Sequence, residues 1–366
     1  MKEPFSTLPL CPYPSGGVYE AIAAEGKPIA VYGMGNGAEK LLLRMAEREM
    51  TPAAFFASDG FVRGQSFRGY RVRTYSDLKA EYGEVVPVLA FASNRAEVIS
   101  RFLAIDRETP LYIPDLPVAG EEDFTPAFYE QSYGDIIRAY HLLADESSRA
   151  LYASLLHYKL SGRLSPLLSY TSDVSEIYKL LQNKCIECEI DVGAYRGDTV
   201  KESAVYLPKL KTVYAVEPDP KSYQKLCLLA EETAHPRVIP VHAAAGASEG
   251  SVLFHASGNR NSSSVGASYR HNDVAVPRRR IDTLTDERVD YIKYDVEGEE
   301  ENALLGSHAL IERDRPALLV SVYHRSRDLF FLPLFLASRY PFYRFYLRRT
   351  RCVPAWEISL IALPVS

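Results

Sequence analysis

No run of this sequence is long and apolar enough to cross a bilayer: the longest, LFFLPLFLA at 329–337, falls far short of the roughly 20 residues a spanning helix needs. A positively charged start followed by an apolar stretch, the mark of a secretory signal, is also missing. Cysteine is scarce and odd in number, with five at positions 11, 185, 188, 227 and 352, which argues against a disulfide framework and suits a reducing compartment. Cys185 and Cys188 form a C-x-x-C, but no second pair or histidine cluster completes a zinc site, and both read as core thiols. An excess of charge of one sign is absent too. A net charge of -5 argues against a general nucleic-acid binder, and the one basic run, Arg278–Arg280, reads as the flank of a surface strand. These absences lead to the expectation of a soluble, cytoplasmic protein whose partner is a small molecule, with a homodimer compatible with everything in the chain.

What is present is globular in character: 47% hydrophobic and 24% charged residues over 366 positions, too many for one ordinary core. Strand and helix patterns alternate twice. PIAVYG, PAAFFASD and VVPVLAFAS read as strands separated by amphipathic helices, which implies a small parallel α/β domain over 1–122. Prolines and acids cluster in TPLYIPDLPVAGEED, and strand patterning then stops; residues 123–182 carry apolar positions at spacings of three and four and read as a helical connector. From 183 to 366 alternation resumes through IECEIDVG, TVYAVEP, RVIPVHAAAG, SVLFHAS, VDYIKYDVEG and ALLVSVYH, and ends on FYRFYLRR and WEISLIALP, an antiparallel edge. The expected fold class is therefore α/β with two Rossmann-like domains, the second built on a mostly parallel sheet.

Two glycine loops compete for a ligand. In DVGAYRGDTV, Gly193 and Gly197 allow close backbone approach and positive φ, and the loop's amides face the start of a helix. Asp191 before the loop and Asp198 within it suit the ammonium and sulfonium of S-adenosylmethionine. Glu217, at the end of the next strand, matches a ribose diol as a two-oxygen acceptor. Ala194, Tyr195, Thr199, Pro218 and Asp219 flank these groups, and Ala244 of HAAAG offers a flat slot for adenine. NAD fits less well, because acids on both sides of the loop would repel its pyrophosphate.

The motifs DVGAYRGDTV, VYAVEPDP, RRRIDTL and YIKYDVEGEEENALLGS, in that order over roughly 185–366, resemble the FkbM family of S-adenosylmethionine-dependent methyltransferases. The resemblance implies a seven-stranded class I methyltransferase fold and methylation of hydroxyls on sugars, polyketides or related metabolites. It also implies cofactor contacts at Asp191, Gly193, Gly197 and Glu217, and places Lys293, Asp295, Glu297 and Gly298 beside the methyl-transfer centre, where Asp295 counts as a cofactor contact as well. Tyr195 and Arg196 depart from the small or apolar residues the family often has there. The candidates for a base that takes the acceptor's proton are Asp295, Glu297 and His324. Lys293 reads as the partner of an internal ion pair. Asp295 and Glu297 are oxygen ligands of the type Mg²⁺ takes, but two acids do not complete a site, and no metal is expected. Asn259, Arg260, Asn261 and Ser263, in a polar loop, are candidates for contact with the acceptor, a saccharide or nucleotide-linked molecule.

The first loop, YGMGNGAEK, spells G-x-G-x-x-A, and Asp59 ends the following strand. Gly33, Gly35, Asn36, Gly37 and Asp59 therefore stand as a candidate site for a nucleotide or nucleotide-sugar, for NAD, or as a packing device only. Two rivals to a methyltransferase stay open: a non-catalytic protein that retains a cofactor fold, and an NAD-dependent oxidoreductase working through this loop.

Overall fold

The computed structural model describes residues 16–182, 185–255 and 273–365. Its first sheet contains β1 (Ile29–Tyr32), β2 (Ala54–Phe56), β3 (Ser66–Phe67), β4 (Tyr70–Arg73) and β5 (Val86–Leu89), in the order β3-β4-β2-β1-β5. All neighbours run parallel except β3 against β4. The hairpin of β3 and β4 adds to the three strands expected from the sequence. Tyr112 then bridges to Val88 and continues the sheet.

The second sheet has seven strands: β6 (Cys188–Val192), β7 (Thr212–Val216), β8 (Arg237–Val241), β12 (Tyr291–Tyr294), β13 (Ala317–Ser321), β14 (Tyr343–Arg349) and β15 (Ile358–Pro364). The intervening β9 (Ala244–Ala245), β10 (Gly250–His255) and β11 (Asp273–Arg279) form a separate small sheet. The order is β14-β15-β13-β12-β6-β7-β8, with only β15 antiparallel to its neighbours. Every residue of β6 and β13 is buried, as expected of central parallel strands covered on both faces. The chain steps outward from β6 to β7 and β8, then returns to lay β12 on the other side of β6, so the carboxyl ends of β6 and β12 flank a switch point where ligands collect.

Helices Pro126–Leu142, Glu146–Ser161, Leu164–Ser169 and Val174–Leu181 join the two sheets. Asp145 caps the second and Asp173 the last, each accepting an amide in the first turn. A continuous buried cluster runs from Tyr32 and Phe102 through Ile136 and Leu156 to Val320 and Phe345. The aromatics at 330–345 are largely part of it: Phe330, Phe335, Tyr340, Tyr343 and Phe345 are buried. Cys188 is a core thiol, as expected, whereas Cys185 is exposed because it precedes β6. Among the described residues, no helix is long and apolar enough to cross a membrane.

The segment between the sheets is tied to both. Lys40 Nζ donates to the carbonyls of Pro117 (2.8 Å) and Val118 (2.9 Å), and the Ala119 amide donates to the His324 carbonyl (2.9 Å). Ser326 Oγ donates to the carbonyl of Glu122, and Ser93 and Val353 exchange backbone hydrogen bonds.

Candidate active site

β6 runs straight into the second glycine loop. Gly193 has φ 90°, and a Cβ there would collide with the carbonyl oxygen of Asp295, so only glycine permits this approach of two strand ends. The amides of Gly193 and Ala194 both donate to the Val216 carbonyl, at 3.0 and 2.9 Å, which joins the loop to the end of β7. Tyr195 follows at φ 49° and aims its amide at Glu217 Oε2 (2.7 Å), while the Asp219 amide holds Oε1 (2.7 Å). Glu217 is thus fixed at both oxygens from the backbone. Burial pushes its carboxyl up to about 8 even against these two hydrogen bonds.

A cavity of about 610 Å³ opens here. Of the expected donor contacts, Gly193, Ala194, Tyr195, Asp198, Thr199, Glu217, Pro218, Ala244 and Asp295 lie on its wall. Asp191, Gly197 and Asp219 stand behind it. Gly197, at φ 81°, packs against Leu229, and Asp219 caps helix Pro220–Glu232 by accepting from the amides of Lys221 and Ser222. Asp191 is fully buried with Oδ1 3.5 Å from Lys293 Nζ, a consequence of the β6–β12 register that pairs the two residues. Lys293 Nζ is also 3.6 Å from Asp295 Oδ2, the internal ion pairing expected from strand alternation.

At the acidic end, Asp295 Oδ1 accepts from Ser321 Oγ (3.0 Å) and Tyr323 OH (3.3 Å) and lies 3.5 Å from His324 Nε2. His324 Nε2 is 3.9 Å from Glu297 Oε2, and its Nδ1 is 2.8 Å from Glu300 Oε1. His324 comes three residues after β13 ends and is fully buried, behind Asp295 rather than on the cavity wall. Burial alone would depress its pKa. The adjacent Glu300, Asp295 and Glu297 override burial and push it up to about 10, so the ring is an imidazolium at neutral pH.

Glu300 escaped the sequence reading. Its Oε1 also accepts from the amides of Val296 (3.0 Å) and Gly298 (3.4 Å), holding the turn where Glu297 adopts φ 55°. Three consecutive glutamates, 299 to 301, gave no sign that the middle one is buried; an acid in a helix's first turn, four residues after a loop amide, was the available hint. Among the described residues, no group of three or more metal-ligating side chains is gathered in one place.

The first glycine loop has a packing explanation. A Cβ on Gly33 would strike the Phe91 ring, and one on Gly37 would run into the Ala90 carbonyl. Gly35, at φ 103°, precedes helix Asn36–Ala46, and Asp59 is exposed in a 3₁₀ turn. None of these residues lines the 610 Å³ cavity. Asn259, Arg260, Asn261 and Ser263 lie outside the described residues.

Seven strands in this order, with a cavity over the carboxyl ends of the central ones, define the class I methyltransferase fold. More particularly, residues 191–348 match the model of the methyltransferase FkbM domain. The crystal structure of methyltransferase FkbM from Methylobacillus flagellatus KT is similar over 95% of this chain and 94% of its own, with a TM-score of 0.72 at 21% identity, a likeness of fold that includes the N-terminal sheet. A SAM-dependent methyltransferase from Aquifex aeolicus matches 53% of this chain and 94% of its own (TM-score 0.30, 15% identity). A putative caffeoyl-CoA O-methyltransferase from Staphylococcus aureus matches 52% of this chain and 81% of its own (TM-score 0.33, 12% identity). No curated protein matches the chain.

Proposed function

We propose that the chain transfers a methyl group from S-adenosylmethionine to a hydroxyl of a saccharide, nucleotide-sugar or related small acceptor, with residues 183–366 as the catalytic unit, 1–122 as a Rossmann-like companion and 123–182 as the connector. The observation that carries this reading is Glu217: a buried carboxylate on the cavity wall, with one amide on each oxygen and a second lone pair left on each for the two hydroxyls of a ribose. The Gly193 turn leaves no side chain between the backbone and the cavity, and Asp191 Oδ2, buried without a hydrogen-bond partner, suits the donor's ammonium through water. Ala243, Ala244 and Ala245 leave the wall open for a flat base.

When bound, the cofactor supplies a methyl group on a sulfonium, already a good leaving group. The protein's task is then alignment and proton removal, and alignment alone is worth roughly 7–11 kcal/mol. Asp295, on the wall with Lys293 on one side and His324 on the other, is placed to accept the acceptor's hydroxyl proton. His324 is an imidazolium at neutral pH, so its part is to balance the charge of Asp295. Glu297, farther from His324, completes the acidic turn.

The test is calorimetric titration of S-adenosylmethionine and S-adenosylhomocysteine into the wild type and Glu217→Ala. Loss of charge-assisted hydrogen bonds should weaken binding at least about tenfold. A folded wild type that takes up neither compound would overturn the reading.

A further inference from the structure

The residues proposed to hold the donor gather on one half of the seven-stranded sheet: the loop after β6, the end of β7 and the turn after β8. The cavity also reaches the other half. There Tyr291 of β12, Leu319 of β13 and Ser359 of β15 line it, and Tyr291 and Leu319 pack in one cluster with Ile177 and Tyr178 of helix Val174–Leu181. Lys293 and Asp295, on β12 and just past its end, lie next to β6 and so between the two halves. Strand alternation sets Tyr291 on the same face of β12 as Lys293, deeper in the fold than the acidic turn.

Among the described residues three tyrosines line this lobe, and their hydroxyls differ. Tyr178 OH is 3.2 Å from Ser203 Oγ, which donates to Glu189 Oε1 (3.0 Å), and Tyr323 OH donates to Asp295 Oδ1 (3.3 Å). Tyr291 is fully buried on the same wall, yet its hydroxyl has no hydrogen-bond partner among the described residues. Burial holds this phenol well above its usual range, so it keeps its proton and can donate it. A buried hydroxyl left unpaired costs more than a made bond returns, so such a group finds its partner in the chain, a water or a ligand. Behind the wall, the β6–β12 register sets Glu189 beside Tyr291, and Glu189 Oε2 is likewise buried without a partner. A hydroxyl suits this pair because it both accepts and donates, which an ether or a methyl does not. Tyr291 precedes Asp295 by four positions, about 13 Å at the usual strand rise, so a hydroxyl bound here is a different one from the hydroxyl methylated.

We propose that Tyr291 selects the acceptor: its hydroxyl takes its partner from a second hydroxyl of a polyhydroxylated acceptor bound in this lobe. A molecule lacking that hydroxyl is rejected because the buried phenol is then left unpaired. The proposal rests on the donor reading above. It is tested on the full chain saturated with S-adenosylhomocysteine, titrated calorimetrically with glucose and its singly deoxygenated analogues. In the wild type, loss of one particular hydroxyl should weaken binding about three- to tenfold. Tyr291→Phe should weaken glucose by a similar factor and no longer distinguish that analogue from glucose, while its affinity for S-adenosylhomocysteine stays that of the wild type. Wild-type affinities for every sugar in Tyr291→Phe would mean that water alone satisfies the phenol, and a loss of S-adenosylhomocysteine affinity would place Tyr291 in the donor site. Either result overturns the proposal. So do equal affinities of the wild type for glucose and every analogue, a comparison that stands even where the variant fails to fold, and uptake of no sugar by a chain that binds S-adenosylhomocysteine. A folded wild type that does not bind S-adenosylhomocysteine overturns the donor reading instead.

Discussion

Replacing Glu300 with glutamine keeps the side chain's shape and removes the charge that faces His324 Nδ1 at 2.8 Å. In the wild type the imidazole titrates at about 10 in the folded protein against 6.5 unfolded, burial being outweighed chiefly by Glu300. At about 1.36 kcal/mol per unit, the charged form stabilises the fold by roughly 5 kcal/mol. Glu300 is the largest favourable contributor, so Glu300→Gln should cost on the order of 3 kcal/mol, in line with breaking a buried pair. Because the folded pKa is raised, this stability is fully present below pH 6.5, declines as pH rises, and is lost above about pH 10. The wild-type advantage over Glu300→Gln should therefore be greatest near pH 6 and fall away by pH 10. Trp356, the chain's one tryptophan, reports urea unfolding of the domain that holds the site. An advantage that stays constant over this range would mean that His324 is not charged in the folded protein. It would also return the ring to the role of neutral base.

Two further outcomes bear on the chemistry. Asp295→Asn should lower kcat by about 10²–10⁴-fold while changing the affinity for S-adenosylhomocysteine far less, as steady-state kinetics and calorimetry would show. Glu217 must be ionised to accept two ribose hydroxyls, yet its carboxyl titrates at about 8, so affinity for S-adenosylhomocysteine should rise by up to about tenfold per unit as pH approaches 8 and level off above it; titrations at a series of pH values would check this.

Much of the catalytic half was legible because its strands are short apolar runs that end on acids. Asp191, Glu217 and Asp295 each follow from where a buried strand stops. The 66–73 hairpin was not legible: SF and YRVR are short, partly exposed and set among glycines, so they lack the apolar alternation that marks a strand. SVLFHAS was legible as a strand, but its departure from the main sheet depends on its pairing with β11, a long-range contact no local pattern encodes. Helix Val174–Leu181 reads as connector from its periodicity, yet Val174, Ile177 and Tyr178 line the cavity, because the side of a helix that faces a ligand is as apolar as one that faces a core. His324 is legible in the sequence as lying near the end of a strand. Its position behind Asp295 depended on Glu300, whose burial among three glutamates has no sequence signature.

The Ala119 amide on the His324 carbonyl, and the Ala119 methyl filling the space beside Gly298, have a practical meaning for anyone who would move this catalyst onto another scaffold. A graft cut just before β6 would carry every residue proposed to hold the donor and still leave behind the peptide that braces the histidine from outside. It would also lose Val174, Ile177 and Tyr178 from one wall and expose the apolar face on which Phe345 meets Leu143. The transplantable unit is therefore the two sheets together with the helices between them, and variation in the first sheet is expected to tune turnover in the second without touching a reactant.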